Sequence, residues 1–167
     1  EWTAAFNVVD TNIVIPDIFM GRHGDELAVD FGGNGLWHYD GSNWTQLNAQ
    51  NPEGMEEWDG GLAADFAASG LWNYTGSSWD LLTTLNPQGM ETWTDGLAVD
   101  FTTGLWNYTG SSWDLLTTND PQDMESWTDG LAVDFGTFGL WNYNGSSWNL
   151  LTTSNAEDMA AGEKGLA

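Results

Sequence analysis

The chain has no cysteine, and only two of its 167 residues, Arg22 and Lys164, are basic. Without cysteine it can form neither a disulfide framework nor a thiolate site. Nucleic-acid binding requires many Lys and Arg side chains against the phosphates, so this class of partner is excluded. Binding to anionic membrane surfaces is excluded for the same reason. No apolar run approaches the roughly 18 residues of a membrane helix, so no membrane insertion is predicted.

Acidic residues and tryptophan are abundant instead. The chain carries 25 Asp and Glu, a formal net charge of −23, 21 glycines and 12 tryptophans. A charge of this size keeps a protein soluble and attracts cations. This composition is typical of secreted or surface proteins, and the start at Glu1 without Met fits a processed or trimmed product. We therefore expect an extracellular or cell-surface location.

A short segment recurs along the chain. Residues 70–84, GLWNYTGSSWDLLTT, are repeated letter for letter at residues 104–118. Residues 139–153 differ from them only at Asn144 and Asn149, and residues 35–49 form a looser copy. Repetition at a fixed period of this length indicates one small structural unit stacked on copies of itself.

The motif Leu-Ala-x-Asp-Phe sets the phase of the repeat, with spacings of 35, 35 and 34 residues. It predicts a single domain with four full repeats between two partial ones. The full repeats are residues 27–61, 62–96, 97–130 and 131–163; the partial ones are residues 1–26 and 164–167. The shorter spacing arises after Phe101, where Thr102 and Thr103 replace three residues, a change that a turn tolerates better than a strand.

Each repeat contains four short stretches rich in Trp, Tyr, Phe, Thr and Val, which favours strands over helices. In the second repeat these are residues 62–66, 71–74, 78–83 and 90–93. Four antiparallel strands per unit predict an all-β propeller blade. We predict five blades, with the N- and C-terminal segments sharing one. An open β-solenoid, or a fragment of a larger ring completed by other chains, are the alternatives.

The repeat also resembles known families. The pattern Asp-Phe-(x)2–3-Gly-Leu-Trp-x-Tyr-x-Gly-x-x-Trp-x-x-Leu, then Asn/Asp-Pro-x-x-Met, resembles the short near-identical repeats of bacterial secreted β-propeller proteins over residues 16–167. It is more distantly similar to tachylectin- and tectonin-like propeller lectins, and that similarity implies sugar binding between blades. No motif here aligns with the binding residues of those lectins, so none is carried over.

The third tryptophan of each repeat is the first candidate for a site. Trp58, Trp93 and Trp127 stand among polar residues, and the last repeat has Gly162 at the matching position. A position that accepts Trp or Gly favours an exposed ring on an outer strand. An exposed indole with carboxylates at its edge suits a sugar face. The predicted ligand site is therefore Trp58, Asp59, Trp93, Asp95, Trp127 and Asp129, the alternative being an aromatic cap over a blade junction.

A recurring aspartate is the second candidate. Asp30, Asp65, Asp100 and Asp134 would form a ring near the axis if their strands were innermost, and hard cations such as calcium favour several carboxylates. The favoured alternative is that each accepts hydrogen bonds from turn amides or a neighbouring indole. No other cofactor is expected.

The hairpin aromatics recur in every repeat, and we interpret them mainly as blade-to-blade core. They are the pairs Tyr39/Trp44, Tyr74/Trp79, Tyr108/Trp113 and Tyr143/Trp148, with Trp37, Trp72, Trp106 and Trp141 on the same faces.

Unique contacts are expected where the repeat breaks, near Arg22 and His23, which also suit a junction that closes the ring. Catalytic motifs are absent, and a near-symmetric chain offers few places for a unique carboxylate pair. The sequence therefore predicts a non-enzymatic extracellular module that binds carbohydrate multivalently. The alternative is a structural surface, adhesion or filament-coat protein, forming an oligomer or larger assembly with protein subunits.

Overall fold

The chain folds into repeated four-stranded antiparallel sheets, with almost no helix. The computed structural model describes residues 18–20, 27–162 and 165–166. Within each sheet the strands are neighbours in chain order, so each unit is a meander. Strand formers at alternating positions and short Gly-containing turns account for this topology. The prediction of an all-β repeat fold is confirmed at this level.

Four complete sheets and part of a fifth are described. The first sheet contains Ile18–Met20, Leu27–Asp30, Leu36–Tyr39 and Trp44–Asn48. The second contains Gly54–Trp58, Gly61–Asp65, Leu71–Tyr74 and Trp79–Thr83. The third contains Gly96–Phe101 and Gly104–Tyr108 between Gly89–Trp93 and Trp113–Thr117. The fourth contains Asp123–Trp127, Gly130–Asp134, Leu140–Tyr143 and Trp148–Thr152, and Ala161–Gly162 pairs with Gly165–Leu166 beyond it.

Short 3-10 turns join the second and third strands in three of the four complete sheets. They are Gly32–Asn34, Ala67–Ser69 and Gly136–Phe138. In the third sheet the connection is only Thr102 and Thr103, which confirms that the missing residue lies in a turn.

The sheets are out of phase with the predicted repeats by one strand. Residues 90–93 were predicted to end the second unit, but Gly89–Trp93 pairs with Gly96–Phe101 and begins the third sheet. The connection between these strands is a tight turn over Thr94 and Asp95, whereas the chain from Thr83 to Gly89 is longer. Short turns join paired neighbours. In the same way, Ile18–Met20 is the first strand of a complete sheet rather than part of a composite one.

A glycine follows the tight turn because the backbone there excludes a side chain. Gly96 has φ of 135°, and a Cβ built on it would lie 2.3 Å from the carbonyl oxygen of Tyr108. Gly61 and Gly130 have the same conformation and the same close approach. Any other residue would need both strain and displacement of the third strand.

The hydrophobic core is divided among the junctions between successive sheets. At the junction of the second and third sheets, Trp58, Ala63 and Leu71 pack against Leu97 and Val99. The corresponding residues form equivalent clusters at the junctions before and after it. The second and third sheets therefore bury both faces, one against the preceding sheet and one against the next. The hairpin aromatics of the second, third and fourth sheets pack against these clusters, as predicted. Within each hairpin the Tyr and Trp ring centroids lie 4.8–5.1 Å apart.

The sheets approach one another most closely along their first strands. Gly54–Trp58 contacts Gly89–Trp93, which in turn contacts Asp123–Trp127. The fourth strands, at the opposite edge of each sheet, are largely exposed. In the part of the chain that the structure describes, no helix has the length and apolar character required to span a membrane.

Candidate functional site

Two of the three tryptophans predicted to be exposed, Trp58 and Trp93, lie in the core, and the prediction is wrong for these two. Trp58 and Trp93 are 7% and 8% exposed, and Trp127 is half-buried. The indole Nε1 of Trp58 donates to Oδ1 of Asn73 at 2.8 Å, and its ring packs on Tyr108 of the next sheet at 5.4 Å. Trp93 makes the same two contacts one sheet later. These rings therefore present no platform to a sugar.

The aspartates of the same predicted site are exposed at the tight turns, apart from the buried rings. Asp59, Asp95 and Asp129 lie after each tryptophan, and their side chains face solvent. The backbone carbonyls of Asp95 and Asp129 accept hydrogen bonds of 3.0 Å from Asn107 and Asn142. The structure thus separates the two halves of the predicted carbohydrate site.

The recurring aspartates do not form a shared ring. Among the described residues, no group of three or more His, Cys, Asp or Glu could hold a metal ion. Asp30, Asp65 and Asp134 instead accept the amide N–H of the 3-10 turn two residues later, at 2.8, 2.8 and 3.1 Å. These aspartates lie on second strands rather than on the closely spaced first strands. The alternative interpretation, in which turn amides satisfy each carboxylate, is correct for these three.

A side-chain amide completes the environment of these three carboxylates. In the amide orientation that satisfies both groups, Nδ2 of Asn86 lies 3.0 Å from Asp65 Oδ1 and 3.1 Å from the carbonyl of Ala67. Asn51 and Asn155 make the equivalent contacts to Asp30 and Asp134. Burial raises the pKa of Asp65 to about 6, against the lowering effect of its turn hydrogen bond, and Glu53 adds to the rise.

The third sheet departs from this arrangement in two ways. Its short connection has no 3-10 turn, and Asp120 stands where the other repeats have asparagine. Asp100 is 5% exposed, and its buried Oδ1 has no hydrogen-bond partner. Burial, together with the charge of Asp120, raises the pKa of Asp100 to about 7. This unit therefore has a buried carboxylate facing a second carboxylate in place of a donor.

The short connection also affects a tryptophan. Trp37, Trp72 and Trp141 donate their indole N–H to the last residue of the 3-10 turn, at 2.8–2.9 Å. The indole N–H of Trp106 in the third sheet is buried without a partner. One missing residue thus accounts for both unsatisfied polar atoms in the described side chains.

Three glutamates on the first strands connect successive sheets, a role that their place beside the tryptophans did not predict. Glu56 Oε1 accepts the backbone N–H of Thr92 at 3.1 Å. Glu91 and Glu125 accept the backbone N–H of Ser126 and Ala161 at 2.9 and 3.0 Å. Thr92 Oγ1 also donates to the carbonyl of Glu57. The recurrence of Met-Glu-x-Trp at the repeat period was the available signal.

These glutamates influence one another's protonation. Burial raises the pKa of Glu91 to about 7, the amide of Ser126 opposes the rise, and Glu56 and Glu125 add to it. Burial also raises the pKa of Glu56, to which Glu125 contributes from two sheets away. The first strands of the second, third and fourth sheets therefore converge on one acidic region.

A repeated apolar surface lies on the fourth strands. Leu81, Leu115 and Leu150 occupy the same position in three successive sheets and are 46–47% exposed. Each of these strands contains a β-bulge. The leucines that follow Leu81 and Leu115, Leu82 and Leu116, pack against the core, whereas Leu151 is 43% exposed. Exposed Asp80 and Asp114 precede the first two leucines.

A cleft between the second and third sheets has a volume of about 190 Å³. Met55, Asp65, Pro87 and Met90 are among the residues that line it. Pockets for small molecules usually enclose roughly 300–1,000 Å³, so this cleft is small for a substrate.

The chain matches no protein-family model, and comparisons with curated proteins and with solved structures found no match. A function must therefore be inferred from the geometry of the chain itself.

One hairpin tryptophan differs from its equivalents. Trp44 is 45% exposed, and its ring contacts Tyr39 and Phe31 at centroid distances of 4.8 and 5.4 Å. Trp79, its equivalent in the second sheet, donates its N–H to Leu47 of the preceding sheet. The residues predicted for a unique contact, Arg22 and His23, lie outside the described residues.

Proposed function

We propose that the chain is a non-enzymatic scaffold that binds a protein partner multivalently through the exposed leucines of its fourth strands. The surface is Leu81, Leu115 and Leu150, hereafter the leucine row. One observation carries the proposal: the same large apolar side chain is exposed at the same position of three successive sheets. Exposed apolar side chains at a sheet edge are a liability for an isolated protein, and a partner would cover them.

The chemistry of this surface favours a protein over a sugar. Aliphatic side chains pack well against other apolar side chains, whereas sugars stack on flat aromatic faces. Trp58 and Trp93, two of the three tryptophans predicted to offer such faces, are buried. The net charge of −23 and the neighbouring Asp80 and Asp114 favour a partner with basic residues around an apolar contact.

The arrangement of the sheets supports a propeller as the scaffold. First strands lie side by side, and Glu56 and Glu125 interact although their sheets are not adjacent. Strands that converge on a common axis give this relationship, and an open solenoid does not. We retain five blades as the proposed number, the fifth starting with Ala161–Gly162 and Gly165–Leu166. Small-angle scattering that fits an extended array would contradict the propeller.

Selection from a displayed library of random peptides tests the proposed surface. Peptides enriched on the wild-type chain should combine basic and apolar residues. Their affinity should fall at least tenfold for the triple variant Leu81→Asn, Leu115→Asn, Leu150→Asn, because the apolar contact is lost at every site. The matched control is Ser77→Ala, Ser111→Ala, Ser146→Ala, three exposed hairpin positions in the same sheets. Equal binding by the triple leucine variant would overturn the proposal.

Glycan binding is the second candidate, and Trp44 is the observation that favours it. Its exposed indole lies beside exposed Asp40 and Asn43, which supplies the apolar face and polar edge that a sugar requires. A glycan array should then show binding that Trp44→Ala abolishes and the triple leucine variant retains. An array without signal would remove this candidate. The extracellular location remains a prediction from composition.

A further inference from the structure

We propose that Asp100 and Asp120 together bind one divalent cation, calcium, at the end of the third sheet. The site lies apart from the leucine row and does not depend on it. The three other complete sheets provide an internal comparison, because they share its architecture but not its chemistry.

Asp100 and Asp120 occupy the positions that Asp65 and Asn86 have in the second repeat. Asp100 occupies the same register position as Asp65, opposite the first leucine of the third strand. Asp120 precedes Pro121 as Asn86 precedes Pro87. Since Asn86 Nδ2 lies 3.0 Å from Asp65 Oδ1, the repeat places the Asp120 carboxylate against the Asp100 carboxylate.

Two donors that satisfy Asp65 are missing at Asp100. The turn amide of Ala67 has no counterpart because the 3-10 turn is absent, and a carboxylate replaces the amide of Asn86. Asp100 is only 5% exposed, and its Oδ1 is without a protein partner. An unpaired buried carboxylate is costly, so it must be either protonated or balanced by a positive charge.

Between residues 27 and 162 no Lys or Arg side chain is present to supply a positive charge to this pair. Arg22 and Lys164 are the only Lys and Arg in the chain, and neither lies between residues 27 and 162. A single proton would leave one negative charge on the pair, whereas a divalent cation neutralises both. Calcium prefers carboxylate and carbonyl oxygens and completes its shell with water.

The affinity expected for two carboxylates is modest. Sites in extracellular modules bind calcium with dissociation constants on the order of 0.1–1 mM. At 10 mM calcium, such a site would raise the melting temperature of the chain by about 3–11 °C. Raised protonation of Asp100 at low pH would weaken the binding, since the proton competes for the same oxygen.

The experiment compares the wild-type chain with Asp120→Asn, which gives the third repeat the asparagine of the other three. Melting is followed in 10 mM calcium chloride, in EDTA, and in sodium chloride of equal ionic strength. We expect calcium to raise the melting temperature of the wild type above its value in sodium chloride. For Asp120→Asn we expect the melting temperature to be the same in the two salts. Isothermal titration of the wild type with calcium should give one site per chain.

Two outcomes would overturn the proposal. Equal calcium shifts in the wild type and Asp120→Asn would show that calcium acts elsewhere on this acidic chain. A wild type that ignores calcium but gains stability over Asp120→Asn as the pH falls from 8 to 6 would show a shared proton instead. If Asp120→Asn failed to fold, a titration of the wild type that did not show one calcium site per chain would still contradict the proposal.

Discussion

Trp93 and Asn107 form a buried hydrogen bond of 2.8 Å between the first and third strands of the third sheet. The second strand lies between them, so this bond links two strands that are not hydrogen-bonded neighbours in the sheet. Asn107 uses its amide nitrogen to hold the carbonyl of Asp95 at 3.0 Å. One side chain thus fixes both the indole and the turn that follows it.

Replacing Asn107 by alanine should lower the free energy of unfolding by about 1–3 kcal/mol, because a buried indole N–H and a carbonyl lose their partner. Urea unfolding measures the effect. Ser112→Ala, at an exposed hairpin position, should change stability by less than about 0.5 kcal/mol. Equal values for the two variants would contradict a structural role for the Trp–Asn pair.

The glutamates on the first strands should make the chain more stable in mild acid. Burial raises the pKa of Glu91 from an ordinary value of 4.5 to about 7, so the folded chain holds this proton more tightly than the unfolded chain. The contribution is complete below about pH 4.5 and is lost as the pH rises through 7. Asp65 and Asp100 shift in the same direction.

Glu91→Gln isolates this contribution, because glutamine keeps the acceptor for Ser126 but does not titrate in this range. The stability of the wild type relative to the variant should fall by on the order of 1–2 kcal/mol between pH 4.5 and pH 8, allowing for solvent screening. Urea unfolding in EDTA across this range gives the difference. A difference that is constant with pH would show that Glu91 does not titrate as described.

Restoring the missing turn should stabilise the third sheet. Replacing Thr102 and Thr103 by the Ala-Ala-Ser of residues 67–69 should supply an amide to Asp100 and a carbonyl to Trp106. Two buried polar atoms would gain partners, for an increase of about 1–3 kcal/mol in the free energy of unfolding. Insertion of one residue into the exposed loop at Asn119 is the control for the change in chain length. No gain over that control would contradict the account of the two unsatisfied atoms.

The leucine row should be dispensable for folding. Leu81→Asn should change the free energy of unfolding by about 0.5 kcal/mol or less, since its side chain is 46% exposed. Leu71→Ala, at a fully buried position, should cost about 2–5 kcal/mol. Thermal and urea unfolding compare them. A large loss at Leu81 would mean that the exposed leucine supports the sheet rather than a partner.

The repeat period and strand composition were enough to predict the all-β architecture and the core packing of the hairpin aromatics in the second, third and fourth sheets. They also led to the correct interpretation of Asp30, Asp65 and Asp134 as turn acceptors. The sheet boundaries were predicted one strand out of place, because a repeating sequence does not show which strand begins a sheet. The connections after Trp58 and Trp93 are tight turns, whereas those before Gly54 and Gly89 are longer. This difference in length indicates which strands pair.

The error at the third tryptophan has a physical cause. Gly162 was taken to show that the position tolerates exposure, but the ring of Trp93 is buried by Tyr143 of the following sheet. A glycine at the matching position of one repeat therefore did not establish that the tryptophans of the other repeats are exposed.

The glutamate bonds between first strands have a consequence for how such a chain can change length. Each one joins a side chain of one sheet to the backbone of the next, and backbone amides exist whatever the residue. A whole unit inserted between the second and third sheets would donate a backbone N–H to the glutamate of the sheet before it. Its own glutamate would accept a backbone N–H from the sheet after it. Duplication of the second or third unit would therefore keep the glutamate–amide bond at each of the junctions that this unit makes with its neighbours.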